Sequence, residues 1–227
     1  MVEDAAAAMK QIAISGKKIL FVATKKQAKG LVAEAAEALN MPYITERWPG
    51  GLLTNFATIR KSIKKMQIID KMKENGTFAS LSKRERLQID RQRAKLDLNL
   101  GSIVKMTRMP EAVFIVDTNK ESIALAESNK LGILSFALND TNTNPSQVNF
   151  PIPANDDATK SIECILSIVT KAIAEGLEER NAEQDKKAVE KKEKAKKIAE
   201  GLEEKSAVKD IKPEEKIEKA KKTAEEK

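Results

Sequence analysis

The chain reads as an α/β fold built on a mostly parallel sheet, with a basic helical hairpin inserted in it and a charged tail after it. Three observations predict this. Short, near-continuous apolar runs alternate with segments of helical periodicity, the signature of strands buried on both faces by crossover helices. A long helical and basic stretch between about 54 and 106 breaks that alternation. From about 178 onward the chain becomes Lys, Glu and Ala with almost nothing to bury.

The elements follow in order. Residues 17–24 (KKILFVAT) form a β-rich run, and Ala28, Leu31, Val32, Ala35, Ala36 and Leu39 then recur at helical spacing. The pattern repeats at 112–118 (AVFIVDT) and in the helix after it, where Gly132 supplies the expected stop. Residues 133–140 (ILSFALND) are the next strand. Residues 148–153 (VNFPIP) fit only a sheet edge, since proline donates no ladder hydrogen bond. In a last helix, capped by Asn155 or Asp156, Ile162, Ile165, Leu166, Val169, Ala172 and Ile173 share one face.

The interruption has its own logic. Ile59, Ile63, Met66 and Ile69 recur every three or four residues, Asn75-Gly76 marks a break, and Ser82 with Glu85 matches a capping box. A second helix puts Leu96, Leu100 and Ile103 on one face. Two helices so joined pack antiparallel around a narrow apolar seam. The expected organisation is a sheet domain from 1–53 and 107–177, a hairpin at 54–106 that can be removed without unfolding the sheet, and a tail at 178–227, disordered or a single helix.

A net charge of +7 and an isoelectric point near 9.3 favour a polyanionic partner. Some fourteen basic residues against five acidic ones between Asn55 and Arg108 leave a local excess of roughly nine positive charges. They make Arg60, Lys61, Lys64, Lys65, Arg84, Arg91 and Arg93 candidate RNA ligands, the alternative being an ordinary solvated face. With no histidine, the chain lacks the usual general base, the Ser-His or Cys-His pair and the imidazole metal ligand, so no catalytic residue, metal or cofactor is assigned. Cys164 is the single cysteine, expected buried in the last helix, and it suits a reducing, cytoplasmic compartment. No apolar run approaches the length of a membrane span.

The sheet order invites a nucleotide, but the first strand leads into Thr24-Lys25-Lys26-Gln27, with no glycine pattern to cradle phosphates. Lys25 and Lys26 beside a helix N-terminus oppose its dipole; an RNA phosphate there reverses the sign, and plain solvation is the other reading. Asp117 either serves a strand-end site or caps the helix that follows. Within RWPGGLLTN, Arg47, Trp48, Thr54 and Asn55 suit stacking on or hydrogen bonding to nucleic acid, while Trp48 equally suits a core plug at the hairpin base.

RWPGGLLTNFATIRKSIKK resembles the R-W-x-G-G-x-L-T-N segment and basic helix of the bacterial family of small-subunit ribosomal protein two. Pro110 to Asp117 with Glu121, Glu127 and Gly132-Ile133 resembles a second signature of that family, and FALNDTNTNPSQVNFPIPANDDA a third region. The resemblance implies a Rossmann-like domain with a protruding hairpin, assembled on small-subunit ribosomal RNA without catalysis, the hairpin helping to dock the large mRNA-binding protein one of the small subunit. The long insertion marks a bacterial or organellar type. Two departures are noted: the family's V-H-F-G-H-like start is not found, so that the chain is expected to begin near the end of the first helix, and Leu134 stands where proline or alanine is usual. The competing readings are a nucleotide-dependent enzyme and a coiled-coil adaptor with no RNA partner.

Overall fold

The computed structural model describes residues 1–184, apart from the side chain of Ala79. Five strands form one all-parallel sheet: β1 (Ile19–Val22), β2 (Tyr43–Ile44), β3 (Ala112–Val116), β4 (Leu134–Asn139) and β5 (Phe150–Pro153), in the order β2-β1-β3-β4-β5. This is a doubly wound sheet of the flavodoxin-like order, within the Rossmann-like class expected. The helices are α1 (Val2–Ile14), α2 (Lys26–Ala38), α3 (Phe56–Glu74), α4 (Lys83–Leu100), α5 (Ser122–Leu131) and α6 (159–184). The bulk of the charged tail lies outside the described residues, and α6 runs across the boundary expected at 177.

Strand period two sorts the core into two layers. Ile19, Phe21, Phe114, Val116, Phe136 and Leu138 face a cluster completed by α1, α2 and α6. Leu20, Val22, Val113, Ile115 and Ala137 face the opposite cluster, with Trp48, Leu52, Leu53 and α5. Ile63, Leu100, Ile103 and Met106 belong to this second cluster. The root of the hairpin is therefore sheet core, and a boundary at 54 and 106 cuts through it.

Local expectations are met where a single strong signal governs. Gly132 ends α5 with φ 68°, a left-handed stop that costs glycine little. Ser82 accepts from the Glu85 amide while the Glu85 carboxylate accepts from the Ser82 amide, a complete capping box. Proline-bearing β5 lies at the sheet edge. Val2–Ile14 is a helix whose buried face is formed by Ala5, Met9, Ile12 and Ala13. One expectation fails. Cys164 is exposed, since it sits out of phase with Ile162, Ile165, Leu166 and Val169 on α6.

Candidate nucleic-acid interface

The order of the sheet reverses between β1 and β3, where open α/β folds bind their ligands beyond the strand ends. Here the chain fills that place itself. Lys25, at the N-cap of α2, turns its ammonium inward to Asp156 (2.8 Å), Asp157 (2.8 Å) and Asp117 (3.0 Å). Burial opposes its charge, but the bonds to Asp156, Asp157 and Asp117 outweigh this and hold the ammonium well above the usual lysine range. Three carboxylates match its three N–H donors, which favours an internal role for Lys25, whereas Lys26 is exposed and unpaired among the described residues.

Asp117 has φ 70°; one carboxylate oxygen accepts from the amides of Asn119 and Lys120 and closes the turn ahead of α5, and the other pairs with Lys25. The expected cap of the following helix is corrected, because the N-cap of α5 is Glu121 and no side chain bonds there. Beside it Glu121, 3% exposed, accepts from the hydroxyl and the amide of Thr24. Burial raises the Glu121 carboxyl above the ordinary range, with the Thr24 bonds pulling the other way. The expected cap of α6 by Asn155 or Asp156 is corrected: the helix starts at 159, Asn155 accepts from the amides of Asp157 and Ala158 in the turn ahead of it, and Asp156 is held by Lys25.

The RWPGG loop is organised by Glu127 of α5. Its carboxylate accepts from the Trp48 indole N–H (3.1 Å), from the amides of Gly51 (2.7 Å), Leu53 (3.0 Å) and Thr54 (3.1 Å), and from the Thr54 hydroxyl (3.3 Å). Burial pushes Glu127 up, but these donors prevail and hold it below the usual value. Trp48 is buried within the second core cluster and its N–H is taken by Glu127, which favours the core-plug reading over the stacking one. The Thr54 hydroxyl is likewise engaged. Arg47 and Asn55 are exposed, Asn55 accepting from Thr58. Arg47 borders an apolar groove of about 600 Å³ floored by Trp48, Ile59, Leu96 and Ile123. Glu127 had been noted only as a signature position; the signal that could have found its role is a carboxylate on the packed side of a helix reading IALAESNKL.

Outward along the hairpin the cations divide. Arg93 bridges Asp70 (3.0 Å) on α3 and Asp97 (2.9 Å) on its own helix, and Lys73 meets Asp90 (2.6 Å), so these two clamp α3 to α4. Arg60 donates to the Met106 carbonyl at 3.2 Å, tying the root. Lys61, Lys64, Lys65, Arg84 and Arg91 are exposed with no ion pair among the described residues. So are Lys71, Lys83 and Lys95, which were not singled out from sequence. The apolar seam comes chiefly from Ile63, Met66 and Ile69, whereas Leu87 and Leu98 of α4 are 52% and 65% exposed.

A family described as ribosomal protein S2 matches residues 1–176. The small ribosomal subunit protein uS2 of Phocaeicola vulgatus is 65% identical over 183 residues, covering 81% of this chain and 66% of that protein. That of Flavobacterium johnsoniae is 62% identical over 189 residues (83% and 74%), and that of Bacteroides thetaiotaomicron 63% over 183 (81% and 66%). The chain thus spans about two thirds to three quarters of the length of these relatives. No described helix is long and apolar enough to cross a membrane. With the family matched from residue 1 to 176 and such identities over four fifths of its length, the chain belongs to the ribosomal protein S2 family.

Proposed function

We propose that the chain is a structural constituent of the small ribosomal subunit in the cytoplasm, acting in translation without catalysis, that binds small-subunit rRNA through the hairpin. The observation carrying this is the set of exposed, unpaired cations Lys61, Lys64, Lys65, Arg84 and Arg91, joined by Lys26 and Arg47, with the exposed amide of Asn55 at the start of α3. Their charge has no partner within the described residues, and phosphate contacts release counterions. The relatives carry the name small ribosomal subunit protein, which supports the same assignment. An enzyme reading finds no support: the switch point is closed by Lys25 and its carboxylates, and the chain has no histidine.

Docking of the large mRNA-binding protein one belongs to the proposal as well. It rests on the family resemblance, and exposed Leu87 and Leu98 give the hairpin an apolar component suited to a protein partner. Affinity for a small-subunit rRNA fragment is expected to fall with salt by roughly 0.7 to 0.9 log units per log unit of salt for each phosphate contact. In a Lys61→Gln, Lys64→Gln, Lys65→Gln variant the slope should drop by about two units. A slope unchanged by the triple substitution overturns the hairpin assignment.

A further inference from the structure

At the opposite end of the sheet from the switch point, a second group of cations surrounds a cleft. It has a volume of about 510 Å³ and opens where the chain enters β1 and β2, against the turn that follows α4. Met41, Pro42, Val104 and Met106 give it an apolar floor, and Lys18 and Lys105 stand on its rim. The single carboxylate lining it, Glu37, is engaged by the Tyr43 hydroxyl. Lys18 is anchored by donating to the Asn40 carbonyl at 2.8 Å, which leaves two of its N–H donors for another acceptor.

A third cation is brought in from α6. The Arg180 guanidinium lies across Gly16, where a Cβ would meet Cζ at 2.6 Å, so any side chain at 16 would displace it. Gly16 also takes φ +75°, a conformation other residues resist, so two independent demands fall on this position. The convergence is felt at Lys18, whose ammonium is weakened first by burial and then by the charges of Arg180 and Lys105.

We propose that this cleft seats a phosphodiester of RNA, with Lys18, Lys105 and Arg180 around the phosphate and an unstacked base or ribose on the Met41, Pro42, Val104 and Met106 floor. Cations tracking a backbone beside an apolar surface are the combination that single-stranded RNA uses, and a free phosphate shares only the first half of it. The inference rests on the rRNA reading above and adds to it a contact from the sheet domain, remote in sequence from the hairpin cations.

The test uses the full chain and a small-subunit rRNA fragment in a salt series, with lysine acetylation read by mass spectrometry. Lys18→Gln with Lys105→Gln should lower affinity about tenfold and reduce the salt slope by roughly one to two units, additively with the hairpin triple variant. In the complex Lys18 and Lys105 should be protected from acetylation, and inorganic phosphate at the same concentration should not protect them. Lys105→Gln alone, whose ammonium makes no bond among the described residues, should move affinity in the same direction with unchanged melting, which separates binding from folding. If RNA binds through the hairpin while both cleft variants bind normally and both lysines stay reactive, the cleft is overturned and the hairpin stands. Protection by inorganic phosphate without further effect of RNA overturns the RNA assignment of the cleft. Failure of the unmodified chain to bind RNA overturns both readings.

Discussion

An acid placed inside an apolar helix must find donors or lose its charge, and Glu127 finds them in the RWPGG loop. Gln at this position keeps the shape but turns an amide donor toward backbone N–H groups that need an acceptor. Glu127→Gln should therefore destabilise the protein by about 2–4 kcal/mol at neutral pH in urea unfolding, the cost of charge-assisted bonds and a stranded donor. The sign with pH follows from the depressed carboxyl. Its contribution is complete above the ordinary glutamate value of 4.5 and is lost as pH falls through the lower folded value. The gap between wild type and variant should shrink toward pH 3; a gap constant from pH 7 to 3 would show that the charge does not matter. At this scale the sequence was only half legible. Lys25, Trp48 and Thr54 drew notice as unusual residues, but whether they face RNA or their own chain depends on Asp156, Asp157 and Glu127, which are distant in sequence. Cys164 is exposed because its phase on α6 overrides the burial habit of cysteine.

Elements that bury both faces or carry a full terminal signal were legible: β1, β3 and β4 from continuous apolar runs, α5 from its glycine stop, α4 from its capping box. β2 is only two residues long and shows no period; its pairing with β1 is imposed by the crossover rather than written in Tyr43 and Ile44. The hairpin was read correctly as two helices, but its seam is lopsided. α3 buries Ile63, Met66 and Ile69, while Leu100, at the root, is the one buried residue of α4. The distal part of α4 is thus held by its cap and by the Lys73–Asp90 and Arg93–Asp70 pairs more than by packing. Ser82→Ala should accordingly act locally, speeding amide hydrogen exchange in the first turns of α4 by about threefold to tenfold, with sheet amides unaltered. Equal acceleration in β1 and β3 would mean that the hairpin and sheet open as one unit.

Across the whole molecule, the two sheet faces set different limits on what can be removed. One face is closed by α1, α2 and α6, and the other by α5, the RWPGG loop and the root of the hairpin. Excision at 54–106 would strip Ile63, Leu100, Ile103 and Met106 from the second layer, thinning the cover that Leu20, Val22 and Ile115 share with α5 and the RWPGG loop. Each lost large side chain is worth about 2–5 kcal/mol in a packed core, which already rivals the 5–15 kcal/mol that holds a domain together. Replacing 67–94 by a Gly/Ser bridge removes the unpaired Lys71, Lys83, Arg84 and Arg91 yet spares that layer. The short excision should melt cooperatively with near-native circular dichroism of the sheet domain, and the long one should not. If the distal hairpin is the RNA and protein-docking surface proposed, small subunits from cells expressing the short excision should contain less of this chain and less of protein one, as measured by quantitative mass spectrometry of purified particles. A short excision that folds, enters particles at the normal level and retains full protein one would refute the assignment of function to the distal hairpin, and a long excision that folds equally well would refute the placement of its root in the core.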